Sequence, residues 1–112
     1  MNSEEIHQFV VEYNWDDGVE RIADLLDNPN TVRGTALMVF WCLEGPWTLF
    51  RDDPGEIHPE RQLVDLLHDR LTSGFYPEGN LTYDAVEARG LSKVQVYRFT
   101  KAGLPPNLFR SK

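Results

Sequence analysis

The apolar positions of this chain fall into helical stripes punctuated by Pro, Gly and Asn. Ile6, Phe9, Val10 and Tyr13 recur at i, i+3, i+4 and i+7, which predicts a first helix with one apolar face. Ser3 is expected to cap it, with Glu4 and Glu5 near its positive end. Asp17 followed three residues later by Glu20 has the form of an acidic capping box. Val19, Ile22, Ala23, Leu25 and Leu26 then supply the inner face of a second helix. Asn28-Pro29-Asn30 ends it, because proline disfavours helical geometry in the residue before it.

Between positions 36 and 43 every residue is apolar. Neither face of a helix there is left for water, so this segment is expected in the middle of the molecule. A buried strand is the competing reading of a short apolar run, but the length and a cap from Asn30 or Thr31 favour helix. Gly45-Pro46 is expected to close it. Residues 47–57 read as a loop, with a turn at Asp52-Asp53-Pro54-Gly55. Pro59 pre-sets a fourth helix with Leu63, Leu66, Leu67 and Leu71 inside and Glu60, Arg61, Asp65 and Asp69 outside, stopped at Gly74.

A second irregular stretch covers residues 75–81. Thr82 is then expected to cap a short helix through Arg89, ended by Gly90. Residues 93–99 suit a strand by residue preference and a helix after a Ser92 cap. Helix is favoured, because an isolated strand would have no sheet to join. Leu104-Pro105-Pro106 excludes regular structure, and Leu108 and Phe109 are expected to pin the tail to the body. The pattern therefore predicts an all-α fold: a compact small bundle of four to six helices around one central apolar helix, in a single domain spanning residues 1–112.

Composition changes this picture little. With 112 residues, 41% hydrophobic and 26% charged, the balance is that of a globular chain. Charge says more. The net charge of −7 argues against nonspecific binding to nucleic acid or to an acidic membrane, since phosphate would be repelled. Residues 1–56 hold twelve acids and three arginines, whereas residues 57–112 hold six acids and eight bases. From Arg89 onward there are six bases and no acid. The N-terminus lacks the basic and apolar regions of a signal peptide, and no apolar run reaches the roughly 18 residues of a membrane span, so the expected location is the cytoplasm. Cys42 is the only cysteine and is expected to be a buried, inert thiol.

Chemistry-bearing motifs are scarce. His7, His58 and His68 stand in no motif, and the spacing of the last two fits no metal pair on a helix. Asp16-Asp17 and Asp52-Asp53 fail the alternating oxygen pattern of a calcium loop and suit capping and turns instead. There is no nucleophile elbow and no Gly-rich phosphate loop. The expectation is a protein that is no enzyme and holds neither metal nor cofactor. Trp15 and Trp41 suit a core, whereas Trp47, beside acids, is expected to be partly exposed and to serve as an anchor for a protein partner.

Tyr13-Asn14-Trp15-Asp16-Asp17-Gly18, Gly34-Thr35-Ala36-Leu37 and Gly90-Leu91-Ser92-Lys93-Val94-Gln95 carry a resemblance. On these motifs, nearly the whole chain resembles the bacterial family called domain of unknown function 4274. It departs from that pattern at Asn30-Thr31-Val32-Arg33, ahead of Gly34. The resemblance implies a helical bacterial domain and no particular activity. Small acidic proteins of this kind are, by analogy, often immunity proteins of toxin systems. The leading expectation is thus a non-enzymatic binding protein that occludes a basic toxin domain through an acidic face of Asp16, Asp17, Asp52, Asp53 and Glu56, with Trp47 as anchor. The alternative is a homo-oligomeric structural or regulatory helical module, in which the acidic first half of one copy meets the basic tail of another.

Overall fold

The computed structural model describes residues 1–50 and 59–111. Its helices are α1 (Ser3–Glu12), α2 (Glu20–Leu26), α3 (Arg33–Cys42), α4 (Gly45–Leu49), α5 (Pro59–Ser73), α6 (Ala85–Ala88) and α7 (Lys93–Ala102). Single turns of 3₁₀ helix lie at Trp15–Asp17 and Pro106–Leu108. No strand forms among the described residues, where the only β pairing is one isolated antiparallel bridge between Asp84 and Arg110. The fold is all-α, as the hydrophobic pattern predicts. Among the described residues there are seven helices against the expected four to six: α6 falls within the short helix expected from Thr82 to Arg89, and the addition is α4, a turn of five residues too short for periodicity to register.

Helix α3 occupies the centre. Every residue from Thr31 to Trp41 is buried, and α1, α4 and α5 pack against it. Gly34 is there because the backbone of Leu81 and Thr82 crosses directly over it, leaving no room for a Cβ. Ile6 and Val10 of α1, Ile22 and Leu26 of α2, and Leu63, Val64, Leu67 and Leu71 of α5 complete the core. Leu66 departs from the expected inner face and is exposed, its place taken by Val64.

Several helix ends differ from expectation, each for a local reason. Asn2 caps α1, accepting from the Glu5 amide at 2.8 Å, and the Glu5 carboxylate closes the box by accepting from the Asn2 amide at 3.0 Å. Ser3 instead donates to the Asn30 carbonyl at 2.7 Å, tying the N-terminus to the α2–α3 turn. Asp17 ends the 3₁₀ turn and does not cap α2, whose N-cap is Val19 without a side-chain bond. Helix α3 likewise lacks a side-chain cap: Thr31 donates to the Leu25 carbonyl, and the Arg33 amide finds the Pro77 carbonyl at 2.9 Å. Gly45-Pro46 opens α4 where a loop was expected, after Glu44 adopts left-handed backbone at φ 56°. Asp84, two residues beyond Thr82, caps α6. Ser92 and Gln95 form a capping box for α7, which settles residues 93–99 as helix.

Two arginines hold the helices together by serving the negative ends of their neighbours. Buried Arg33 donates to the Leu71 carbonyl in the last turn of α5 at 2.7 Å and to the Asn107 carbonyl at 2.9 Å. Arg70 pairs with Asp27 at 2.9 Å and reaches the Leu26 carbonyl that ends α2 at 3.2 Å. The tail is pinned as expected. Leu108 and Phe109 are buried, and the Trp41 indole N–H donates to the Leu108 carbonyl at 2.7 Å. The Ala85 amide bonds the Phe109 carbonyl and the Ser111 amide the Tyr83 carbonyl, so the last residues lie against the approach to α6.

Candidate functional site

An acidic corner lies where α1 runs out and α2 begins. Asn14 accepts from the Asp16 amide at 3.1 Å, folding the chain into the 3₁₀ turn. Gly18 then takes φ +90°, a backbone state that side chains disfavour, and its carbonyl accepts from the Tyr13 hydroxyl at 2.6 Å. That bond holds the Tyr13 ring between its neighbours. Phe9 lies 5.6 Å from it, and Trp15 meets it edge to face at 5.2 Å. All three rings are half-buried, so part of each faces solvent.

Beside these rings opens a cleft of about 710 Å³, lined by Phe9, Tyr13 and Asn14 together with the carboxylates of Glu12, Asp17 and Glu20. Arg21 is the one base in the lining. Asp16 is exposed on the same turn, and Asp24 is exposed one helical turn beyond Glu20. Asp16 and Asp17 thus sit together, as their adjacency requires, with both side chains in water. The aromatic part of this corner was missed in the sequence because Phe9 and Tyr13 fit the inner stripe of α1, and Trp15 read as a core residue. The available signal was Gly18, which forces the turn that brings Tyr13 and Trp15 together.

Trp47 has a different setting. It lies on α4 and is 37% exposed, in line with the expected partial exposure. Its ring packs edge to face on Phe99 at 5.0 Å and on Trp41 at 5.9 Å. The charge over it is basic: the Arg89 guanidinium stands 5.9 Å from the ring and 3.9 Å from the Glu44 carboxylate. Among the described residues no hydrogen bond, ion pair or ring contact joins Trp47 to Asp16 or Asp17. Asp52, Asp53 and Glu56 lie outside the described residues.

The remaining titratable groups are spread through the molecule. His7 Nδ1 shares a hydrogen bond with the Thr35 hydroxyl at 2.8 Å, linking α1 to α3, and burial holds its pKa below the ordinary 6.5. His68 lies 3.8 Å from Asp69 at the surface, and His58 lies outside the described residues. Cys42 is half-buried rather than fully buried. Burial pushes its thiol pKa up while nearby Arg89 draws it down, so it is a poor nucleophile. Burial also raises Tyr76 and Tyr83. None of these groups lines the acidic cleft. No cluster of three or more His, Cys, Asp or Glu suited to a metal occurs among the described residues, and no helix there is long and apolar enough to cross a membrane.

Comparison with known proteins adds one finding. The family model described as Domain of unknown function (DUF4274) matches residues 1–71, which contain α1 to α4, most of α5 and the whole acidic corner. No curated protein and no solved structure matches the chain.

Proposed function

The chain belongs to the DUF4274 family, and from that premise we propose a non-enzymatic binding protein that occludes a basic protein partner with its acidic corner, as an immunity protein covers its toxin. The observation that carries this reading is the cleft itself. Exposed carboxylates lie beside half-buried aromatic rings, of which Tyr13 is held in place by its hydrogen bond to the Gly18 carbonyl. Aromatic anchors supply much of the binding energy of protein interfaces, and rings fixed beforehand lose little entropy on binding. Carboxylates at the rim speed the approach of a basic surface and disfavour acidic competitors. Tyr13 and Trp15 are the anchors in this arrangement, with Asp16, Asp17 and Glu20 as the steering charges. Asp52, Asp53 and Glu56 would extend the same field if their segment borders the corner. Trp47 belongs to a separate face.

The test begins by capturing a partner from host lysate on the wild-type chain and on D16N/D17N/E20Q. A basic protein held by the first and lost by the second is then purified for stopped-flow association. The triple variant should associate at least about tenfold more slowly at low ionic strength and show a weaker salt dependence. D52N/D53N/E56Q, measured in parallel, reports whether those acids share the face. Co-expression completes the assay, since a covered toxin should lose its toxicity only with a chain that binds. Equal association rates for the wild type and the D16N/D17N/E20Q variant would remove the acidic corner from the interface.

A further inference from the structure

Helix α7 carries the opposite of the acidic corner. Its inner side buries Phe99 against Trp41, whereas its outer side leaves Val94 57% and Tyr97 63% exposed among Lys93, Arg98 and Lys101. Beside it runs a groove of about 620 Å³, with Val86, Leu91, Val96 and Phe109 as its floor and Tyr97 and Lys93 at its rim. Among the described residues neither Lys93 nor Arg98 has an ion-pair partner. An apolar strip of this kind, bordered by unpaired bases, suits an occupant that brings aromatic groups together with carboxylates. The chain has that surface itself, at Tyr13, Trp15, Asp16, Asp17 and Glu20.

We infer that the outer face of α7 docks onto the acidic corner of a second copy of this chain. The contact joins two different faces, so it closes when both are used, in a two-fold dimer or a larger ring, and otherwise continues as a chain. Because it uses the corner assigned to the basic partner, partner binding and self-association exclude each other. The net charge of −7 opposes contact between copies. At about 0.01 M salt the screening length of about 30 Å is comparable to the size of the molecule, whose extents are 37 × 32 × 25 Å, and that repulsion is only weakly screened. At about 0.1 M it falls to about 10 Å, so charges meeting at the interface outweigh the distant ones. Self-association is therefore strongest near 0.1 M and declines both below and well above it.

Sedimentation velocity on the full chain at about 0.1 M salt, from micromolar to near-millimolar concentration, tests this. The average mass should rise with concentration to the dimer or beyond it. K93E/R98E and D16K/D17K should each weaken association at least about tenfold, and an equimolar mixture of the two should restore it, because reversed charges meet on opposite faces. All four positions are exposed, and circular dichroism confirms that the variants fold. If a charge-reversed α7 failed to fold, V94S/Y97S would replace it with the same expected loss. A wild-type chain that remains monomeric at every concentration overturns the inference. So does association that survives either charge reversal, since the contact would then lie elsewhere.

Discussion

Two of the molecule's groups of aromatic rings differ in what stands behind them. Trp41, Phe99 and Phe109 meet in the interior and Trp47 packs at their edge, with centroid separations of 5.0 to 6.2 Å that link α3, α4, α7 and the tail. Phe9, Tyr13 and Trp15 lie at similar separations, but beside an acidic cleft open to water. Ring geometry is nearly the same in both. In the first group Trp41, Phe99 and Phe109 are buried and have little surface left to offer a partner, whereas Trp47 at its edge is 37% exposed. The second retains exposed area and is oriented by one hydrogen bond. Aromatic residues therefore end in the core or at its edge according to the packing around them, and residue type alone does not decide which.

The largest effect belongs to the interior group. Trp41→Ala should cost about 3–5 kcal/mol in urea unfolding, from the volume removed and from the Leu108 carbonyl left without its donor. A loss below about 1 kcal/mol would mean that the cluster does not join the tail to the core. Trp47→Ala should cost less, about 1–2 kcal/mol, because part of its ring is already in water, and partner association should be unchanged. The reverse result, intact stability with lost binding, would return Trp47 to the role of anchor. Tyr13→Phe removes only the hydroxyl that holds Gly18, so about 1 kcal/mol is expected, together with a weaker hold on any partner of the corner.

The smallest effect is one of pH. His7 has a folded pKa lowered by burial, so below about pH 6.5 the unfolded chain binds its proton more readily than the folded one. The His7 contribution to stability is complete above that pH and is lost as pH falls through the folded value. Unfolding midpoints compared at pH 7 and pH 5 should therefore fall further for the wild type than for His7→Gln. An equal fall in both would assign the acid sensitivity to other groups.

Much of the fold was legible because burial leaves a periodic trace. The unbroken apolar run at positions 36–43 could only be central, and α3 is buried on all sides. The Ser92 cap marked α7, and Gly74 and Gly90, both at positive φ, ended α5 and closed α6. The candidate site was legible only in part. Asp16 and Asp17 stand out in the sequence as candidates, but Tyr13 and Trp15 give no sign there of whether they face the core or a cleft at its edge. Trp47 was read from its acidic sequence neighbours, whereas its spatial neighbours are Phe99, Trp41 and Arg89.

The order of residues by itself determined the helices that carry a stripe or a cap, the central place of α3 and the division into acidic and basic halves. These follow from local periodicity, local capping and simple counting. Tertiary structure decided that Arg33 and Arg70 would serve the carboxyl ends of helices distant in sequence, that the backbone at Leu81 would cross Gly34, and that Tyr13 would stand over a cleft. Such contacts depend on which elements meet after the chain has collapsed. A polar group seeking a bond partner, or a ring seeking a neighbour, can find it at any sequence distance, so spacing leaves no record of the choice.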